Sequence, residues 1–425
     1  MVSASGWGLA RRVGFRFGVI VGGLLVFPFP LGVIPRTEIV ATWLARPFQW
    51  ATSWLAGDVL GLQLSDPAAG FTGSGDRMVD YVQVLLIAAL GMLGALVWSI
   101  ADRRRRSYPR LAAAAIVVVR YYLAYMMLTY GVSKLLKSQF YDLSPSWLHE
   151  RLGDGSPMRM LWAFMGYSSP YTVFAGLAET VGGLLLLWRR TATLGAVLVV
   201  AVMTNVVMLN LCYDVPVKLF ATELLVMGAL IARPGAWRMI AAALGHAVAE
   251  LPPRVRMAQR RERIRVAAKL GLIAAMAVNL YLEYHGANRN DHVHELYGNW
   301  EVDRFVADGV ERPPLTTDPV RWQTLSINAR SAVIWLITGV REPSILVNRG
   351  LYDWKVDAAS HAIALTLPGE PRLEETWHYS RPAPDRLVID GAHGGKSLHV
   401  ALHLVPDPLL VTRGFHWINE VPFNR

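Results

Sequence analysis

The sequence predicts an α-helical transmembrane bundle of about seven spans, followed by a small extracytoplasmic β-barrel or sandwich. Hydrophobic residues make up 53% of the 425-residue chain and charged residues only 17%, an apolar excess that is typical of membrane proteins. Several nearly uncharged runs approach the 20 or so residues that a helix needs to cross a bilayer. Beyond Tyr284 the hydrophobic pattern changes to short alternating segments. We therefore expect a transmembrane domain over 1–284 and a β-rich domain over 285–425.

The predicted spans are separated by short polar or basic segments. The first follows a basic cluster without a small-residue cleavage pattern, which predicts an uncleaved anchor. The stretch from Thr37 to Leu60 carries tryptophans at mixed helical spacing, which is typical of a helix that lies in the membrane interface. The seven spans predicted are 17–33, 81–100, 111–132, 173–188, 192–211, 217–231 and 266–281.

The positive charges predict the orientation of these spans. The net charge is +10, and its Lys and Arg residues cluster in the segments 11–16, 103–110, 189–190 and 233–265. Every cluster falls on one side of a seven-span chain, as cytoplasmic loops require. The sequence thus predicts a multi-pass protein of the bacterial cytoplasmic (inner) membrane, with a cytoplasmic N-terminus. No continuous basic stripe remains to bind nucleic acid.

The C-terminal region shows the pattern of short strands. Its segments alternate or are rich in β-branched and aromatic residues, and Gly, Pro and Asp separate them. The predicted strands are 300–305, 352–356, 363–367, 376–379, 387–389 and 398–404. The apolar run 332–340 is too short to cross a membrane.

Polar side chains inside predicted spans are the candidate functional residues, because such groups are costly in a bilayer and usually face a bundle interior or a wet cavity. We expect them to form one polar cavity open to the extracytoplasmic side. Alternatively, Arg120 pairs with Glu179 or Glu223 only to hold helices together, Lys218 snorkels to the headgroups, and Lys134 anchors a lipid phosphate. The candidates are Arg120, Tyr130, Lys134, Glu179, Asn205, Asn210, Tyr213, Asp214, Lys218 and Glu223.

Cysteine and histidine usage limits the redox chemistry. Cys212 is the only cysteine, so an intrachain disulfide and a Cys-x-x-Cys motif are excluded. No histidine falls inside a predicted span, which argues against an intramembrane haem. His399 and His403 lie on one face of a predicted strand and could begin a metal site, although solvated strand histidines are the commoner case.

One part of the chain combines small residues, one acid and a basic turn. It contains Tyr130-Gly131 with Lys134, then Gly176-Leu-Ala-Glu179-Thr-Val-Gly182-Gly183, and then Arg189-Arg190-Thr191 followed by Leu194-Gly195. This pattern resembles the DoxX-like family of bacterial integral membrane proteins. The resemblance implies a four-helix membrane unit over about 111–233. It also implies an association with thiosulfate-to-quinone electron transfer or with the assembly of redox enzymes.

Together these patterns predict a component of a quinone-linked or other redox system, with the lipid bilayer and a quinone or a redox protein as partners. Lys218 or Lys134 would hold the oxygens of a quinone-like headgroup, and Asp214 or Glu179 would pass protons. The alternatives are a non-catalytic binder or carrier of a lipid or small molecule, and a membrane assembly scaffold. The sequence does not decide whether the protein is an enzyme.

Overall fold

A computed structural model describes residues 7–34, 36–63, 74–247, 259–287, 294–329, 331–340, 353–367 and 373–423. The chain divides into two compact units. The first comprises Met1–Gln139 and Pro170–Ala287, and the second comprises Phe140–Ser169 and Asn288–Arg425. The second unit therefore takes in a segment that the sequence-based division assigned to the transmembrane domain.

The first unit is helical. Six helices of the described residues are long and apolar enough to cross a membrane, over Leu9–Val33, Met78–Ala101, Pro109–Leu135, Ala192–Cys212, Lys218–Ala243 and Glu262–Leu282. The chain is thus a multi-pass membrane protein by the length and composition of its helices. The α-helices of the described residues are, in order, α1 Leu9–Val26, α2 Glu38–Trp54, α3 Met78–Ala101, α4 Pro109–Leu135, α5 Pro145–His149, α6 Pro157–Tyr167, α7 Ser169–Leu186, α8 Ala192–Cys212, α9 Lys218–Ala243, α10 Gln259–Ala287 and α11 Leu409–Thr412.

Two predicted elements fall outside the set of six. Helix α2 contains Pro47 and, with 17 residues, is not among the six helices that are long and apolar enough to cross a membrane. Helix α7 coincides with the predicted fourth span but is also not counted. Its Glu179 and three glycines lower its hydropathy, so apolarity alone does not identify it as a crossing helix.

A buried arginine joins the start of the helical unit to the turn between α3 and α4. Arg16 is 2% exposed, and its guanidinium donates to Tyr108 Oη at 2.7 Å, to Ser99 Oγ at 2.7 Å and to the Asp102 carbonyl at 2.8 Å. A buried cation is tolerated when its donors are satisfied in this way. The contact fixes α1 against α3.

The second unit contains one antiparallel sheet of nine strands. Its strand order is β4-β3-β1-β9-β8-β7-β6-β5, with β2 paired to β1. The strands are β1 Gly298–Ala307, β2 Val310–Glu311, β3 Trp322–Ile327, β4 Ala332–Leu336, β5 Asp353–Asp357, β6 Ala362–Leu367, β7 Leu373–Ala383, β8 Arg386–His393 and β9 Lys396–Leu404.

The sheet is one antiparallel layer that curls into a half-barrel, where the sequence predicted a small β-barrel or sandwich. Strands β4 and β5 are the two ends of the hydrogen-bonded path, and among the described residues they do not pair with each other. Trp300, Trp322 and Trp377 are almost completely buried at 0%, 2% and 1% exposure. The concave side is therefore filled by aromatic side chains and forms the core of the unit.

Six of the observed strands contain or closely match the predicted ones, namely β1 and β5 to β9. The structure adds β2 and β3, which the sequence analysis missed, and it places β4 within the apolar run 332–340. Strand β3 was missed because five of its six residues are buried, so it lacks the alternation by which a strand is recognised.

The segment between α4 and α7 folds onto the sheet. The Ser146 amide donates to Asn328 Oδ1 at 3.2 Å, and Asn299 Nδ2 donates to the Pro145 carbonyl at 2.9 Å. The His149 ring also lies 5.1 Å from that of Trp335. Backbone and side-chain hydrogen bonds thus make α5 part of the sheet unit.

Candidate functional site

A buried ion pair joins α4 to α7. Lys134 Nζ lies 2.7 Å from Glu179 Oε2, and the two residues are only 7% and 3% exposed. The Tyr130 ring centroid lies 5.8 Å from the same nitrogen. Neither charge could remain in an apolar interior without a partner of opposite sign.

Two glycines bring the charges together. A Cβ on Gly131 would lie 2.3 Å from Thr180 Oγ1 and 2.9 Å from the Gly176 carbonyl, and a Cβ on Gly176 would lie 2.8 Å from the Gly131 carbonyl. The backbones of α4 and α7 therefore touch at this crossing, as small residues allow in membrane bundles. Lys134 and Glu179 each lie three residues beyond their glycine, on the same helical face.

Further glycines hold α7 between α4 and α8. A Cβ on Gly183 would lie 3.0 Å from the Ala124 carbonyl of α4. On the other side, a Cβ on Gly195 of α8 would lie 3.0 Å from the Gly182 carbonyl. Gly182 and Gly183 lie about one turn along α7 from Glu179, so the close packing at the ion pair continues along this helix.

A second polar network lies where α9 begins. Asp76 accepts hydrogen bonds from the Lys218 amide at 2.8 Å and the Leu219 amide at 3.0 Å, which caps α9. Lys218 Nζ lies 2.9 Å from Asp214 Oδ1 and 3.6 Å from Asp76 Oδ2. The Asp214 side chain is 83% exposed, whereas that of Asp76 is 7% exposed. This network has a structural role at the helix terminus.

Asn210 belongs to the turn between α8 and α9. Its Nδ2 donates to the Val217 carbonyl at 3.4 Å, and its own carbonyl accepts from the Val215 amide at 3.0 Å. Asn205, by contrast, lies on the exposed side of α8, and Tyr213 is half-buried.

The remaining candidates do not join the buried pair. Glu223 is half-buried on α9. Within the described residues, no ion pair joins Arg120 to Glu179 or Glu223. Glu179 forms its ion pair with Lys134. The Arg120 guanidinium instead lies 5.1 Å from the centroid of the Tyr121 ring. Arg120 is therefore not part of the buried ion pair.

The histidines of the sheet pair with carboxylates. His399 Nδ1 lies 2.6 Å from Asp390 Oδ1, and His403 Nδ1 lies 2.8 Å from Asp303 Oδ1. In the parts of the chain that the structure describes, no three His, Cys, Asp or Glu side chains are grouped as a metal site. His399 and His403 both lie on β9, and each contacts a carboxylate of a neighbouring strand.

Two features of the site were missed from the sequence. Asp76 was not among the predicted site residues, since the helix that it caps begins far away in the chain. The pairing of Lys134 with Glu179 had a signal in the shared glycine-to-charge spacing, Gly131 with Lys134 and Gly176 with Glu179. That repeated spacing identifies which faces of two glycine-containing helices meet.

Comparisons with known proteins give one relative. Over 108 residues the chain is 37% identical to the uncharacterized protein YwoB of Bacillus subtilis (strain 168), a match that covers 25% of this chain and 68% of YwoB. No family model and no solved structure matches the chain. Through this segment, the chain belongs to the same protein family as YwoB.

Proposed function

We propose that this protein is a component of a quinone-linked redox system and that the Lys134–Glu179 pair receives the oxygen atoms of a quinone-type headgroup. The buried 2.7 Å contact between these two side chains is the observation that carries the proposal. A charged pair inside a membrane bundle is costly, and such groups usually mark ligand sites or proton relays.

The neighbouring side chains suit a planar ligand with carbonyl oxygens. The ammonium group of Lys134 is a hydrogen-bond donor of the kind that the carbonyl oxygens of a quinone accept. Glu179 can supply or accept the proton that a quinone exchanges on reduction or oxidation. The rings of Tyr130 and Phe220 lie 6.2 Å apart on α4 and α9 and offer aromatic surface beside the pair.

The resemblance to the DoxX-like family points to the same chemistry. The residues that carry this resemblance include Tyr130, Gly131, Lys134 and Glu179, which are the residues of the α4–α7 contact. We infer that the four-helix unit formed by α4, α7, α8 and α9 corresponds to the membrane unit of that family.

We further propose seven spans, with the N-terminus in the cytoplasm and the sheet outside it. The segment that follows α4 and the chain that follows α10 fold into one unit, so both must lie on the same side of the membrane. An even number of crossings must therefore separate them. Four crossings separate the two segments only if α7 crosses the membrane together with α8, α9 and α10. This supports α7 as a span. The basic segments then all lie in the cytoplasm.

Quinone extraction and ligand-induced stabilisation test the proposed ligand. Full-length protein purified in mild detergent should contain extractable quinone, and an added short-chain quinone analogue should raise its melting temperature. Glu179→Gln and Lys134→Met should remove both effects. Asp214→Asn, which breaks the exposed Lys218 pair, is the matched control and should keep both effects.

Three results would argue against the proposal. Protein without quinone whose melting temperature does not respond to the analogue would exclude this ligand. A co-purifying lipid that depends on Lys134 and Glu179 would favour a carrier. A stable partner protein with no bound small molecule would favour an assembly scaffold.

A further inference from the structure

Two cationic side chains from different helices each lie beside an aromatic ring. Lys269 of α10 lies within electrostatic range of Arg120 of α4. The Lys269 ammonium lies 5.2 Å from the centroid of the Trp188 ring, and the Arg120 guanidinium lies 5.1 Å from that of Tyr121. Tyr121 Oη in turn donates to the Leu187 carbonyl at 3.4 Å. We call Arg120, Tyr121, Trp188 and Lys269 the cationic cluster.

The cluster lacks a compensating negative charge. Among the residues that the structure describes, no carboxylate forms an ion pair with Arg120 or Lys269, and Arg120 Nε is buried without a hydrogen-bond partner. Two like charges repel each other, and a buried donor without a partner costs free energy. Both costs disappear if an anion binds between the two side chains.

The depth of the cluster indicates the source of the anion. Tyr125 Oη of α4 donates to Asn279 Oδ1 of α10 at 2.8 Å, and both Arg120 and Lys269 precede these residues along their helices. The cluster therefore lies in the first half of both α4 and α10. The starts of these two helices follow or contain basic segments that the proposed topology places in the cytoplasm.

The flanks of the cluster are suited to acyl chains. Ile116, Val117 and Val118 of α4 and Leu270 of α10 are between 42% and 59% exposed. Exposed aliphatic side chains next to an unpaired basic site are the combination that binds a lipid headgroup and its tails. A free phosphate would use the cations and leave this apolar surface unused.

We propose that the cationic cluster binds the phosphate group of an anionic phospholipid from the leaflet at which α4 and α10 begin. Arg120 and Lys269 hold the phosphate oxygens, and the Tyr121 and Trp188 rings orient the two cations. The proposal does not depend on the quinone, because the cluster and the Lys134–Glu179 pair share no residue.

Native mass spectrometry of the full-length protein tests the site. Phosphatidylglycerol and phosphatidylcholine with identical acyl chains are added in turn, and their apparent dissociation constants are compared. The wild-type protein should bind phosphatidylglycerol more tightly. Arg120→Gln and Lys269→Gln should each weaken that binding by about fivefold and leave phosphatidylcholine binding unchanged. Arg120→Lys and Lys269→Arg should retain the preference.

Lys218→Gln is the control, since Lys218 is a cation at a helix end that already has carboxylate partners. The proposal is overturned if Arg120→Gln and Lys269→Gln affect phosphatidylglycerol binding no more than Lys218→Gln does. Displacement of the lipid by millimolar inorganic phosphate would reject the lipid as the ligand in favour of free phosphate. If Arg120→Gln does not fold, the comparison of Lys269→Gln with Lys269→Arg decides between these outcomes.

Discussion

Lys134 of α4 and Glu179 of α7 form an ion pair of 2.7 Å that is almost completely shielded from solvent. The two charges satisfy each other only because the helices touch at Gly131 and Gly176. The stability of the bundle should therefore depend on both the charges and the glycines.

Removing one charge should destabilise the helical unit strongly. Glu179→Gln leaves an uncompensated ammonium in a buried position, and we expect a loss of about 3–5 kcal/mol. The double variant Lys134→Met/Glu179→Met should recover much of that loss. Thermal unfolding in detergent measures both. Asp214→Asn removes an exposed ion pair and should change the free energy of unfolding by about 1 kcal/mol or less. A loss as large as that of Glu179→Gln would show that burial does not set the cost of breaking these pairs.

Adding a methyl group at the helix crossing should separate α4 from α7. Gly131→Ala places a carbon 2.3 Å from Thr180 Oγ1 and 2.7 Å from the Thr180 amide nitrogen, and overpacking of this kind costs about 1–3 kcal/mol. Gly18→Ala is the control, because nothing lies within 4 Å of its Cβ position. That change should be neutral or stabilising, since Ala favours a helix over Gly by up to about 1 kcal/mol. Equal melting temperatures for the two variants would refute the close crossing.

Acidification should loosen the sheet unit at His294. Burial lowers the pKa of His294 below its ordinary 6.5. The Leu296 amide donates to its Nδ1 at 3.3 Å, and its Nε2 lies 3.2 Å from the Asn328 carbonyl, so one nitrogen must stay unprotonated to accept. The unfolded state therefore binds more protons than the folded state. The free energy of unfolding begins to fall when the pH drops below about 6.5, and it stops falling once the pH is below the lowered pKa of the folded state.

The melting temperature at about pH 7.5 and about pH 5.5 measures this dependence. His294→Gln should show a smaller difference between the two values than the wild-type protein. His416→Gln, at an exposed position, should behave like the wild type. An unchanged pH dependence in His294→Gln would exclude this histidine as the cause.

Cysteine labelling should reveal which loops share a side of the membrane. In a Cys212→Ser background, which removes the only native cysteine, Gly153→Cys and His416→Cys should react with an impermeant maleimide in intact cells. Arg190→Cys should react only after permeabilisation. Labelling of all three variants in intact cells would mean that α7 does not cross the membrane. Labelling of Gly153→Cys alone would mean that residues 153 and 416 do not lie on the same side.

The sequence predicted most of the helices and strands because hydrophobic run length and alternation are local properties. It could not predict that Ser146 and Pro145 bind Asn328 and Asn299, because nothing local indicates which distant strand a loop will meet. Lys134 was expected to hold a headgroup or a lipid phosphate, and its ion pair with Glu179 was not predicted. Arg120 was expected near the acids. Its position beside Lys269 depends on how α10 packs on α4, which periodicity does not specify.

The sheet unit is assembled from two stretches of chain that are synthesised far apart in time. The ribosome releases 140–169 before α7 to α10, while β1, its partner, follows after all of them. Because chains emerge N-terminal end first, this early stretch must wait, unpaired, until the last helix has been inserted. Completion of the sheet unit is therefore a late step in biogenesis. A chain truncated before β1 would leave residues 140–169 without their partner, and we expect quality-control proteases to recognise them.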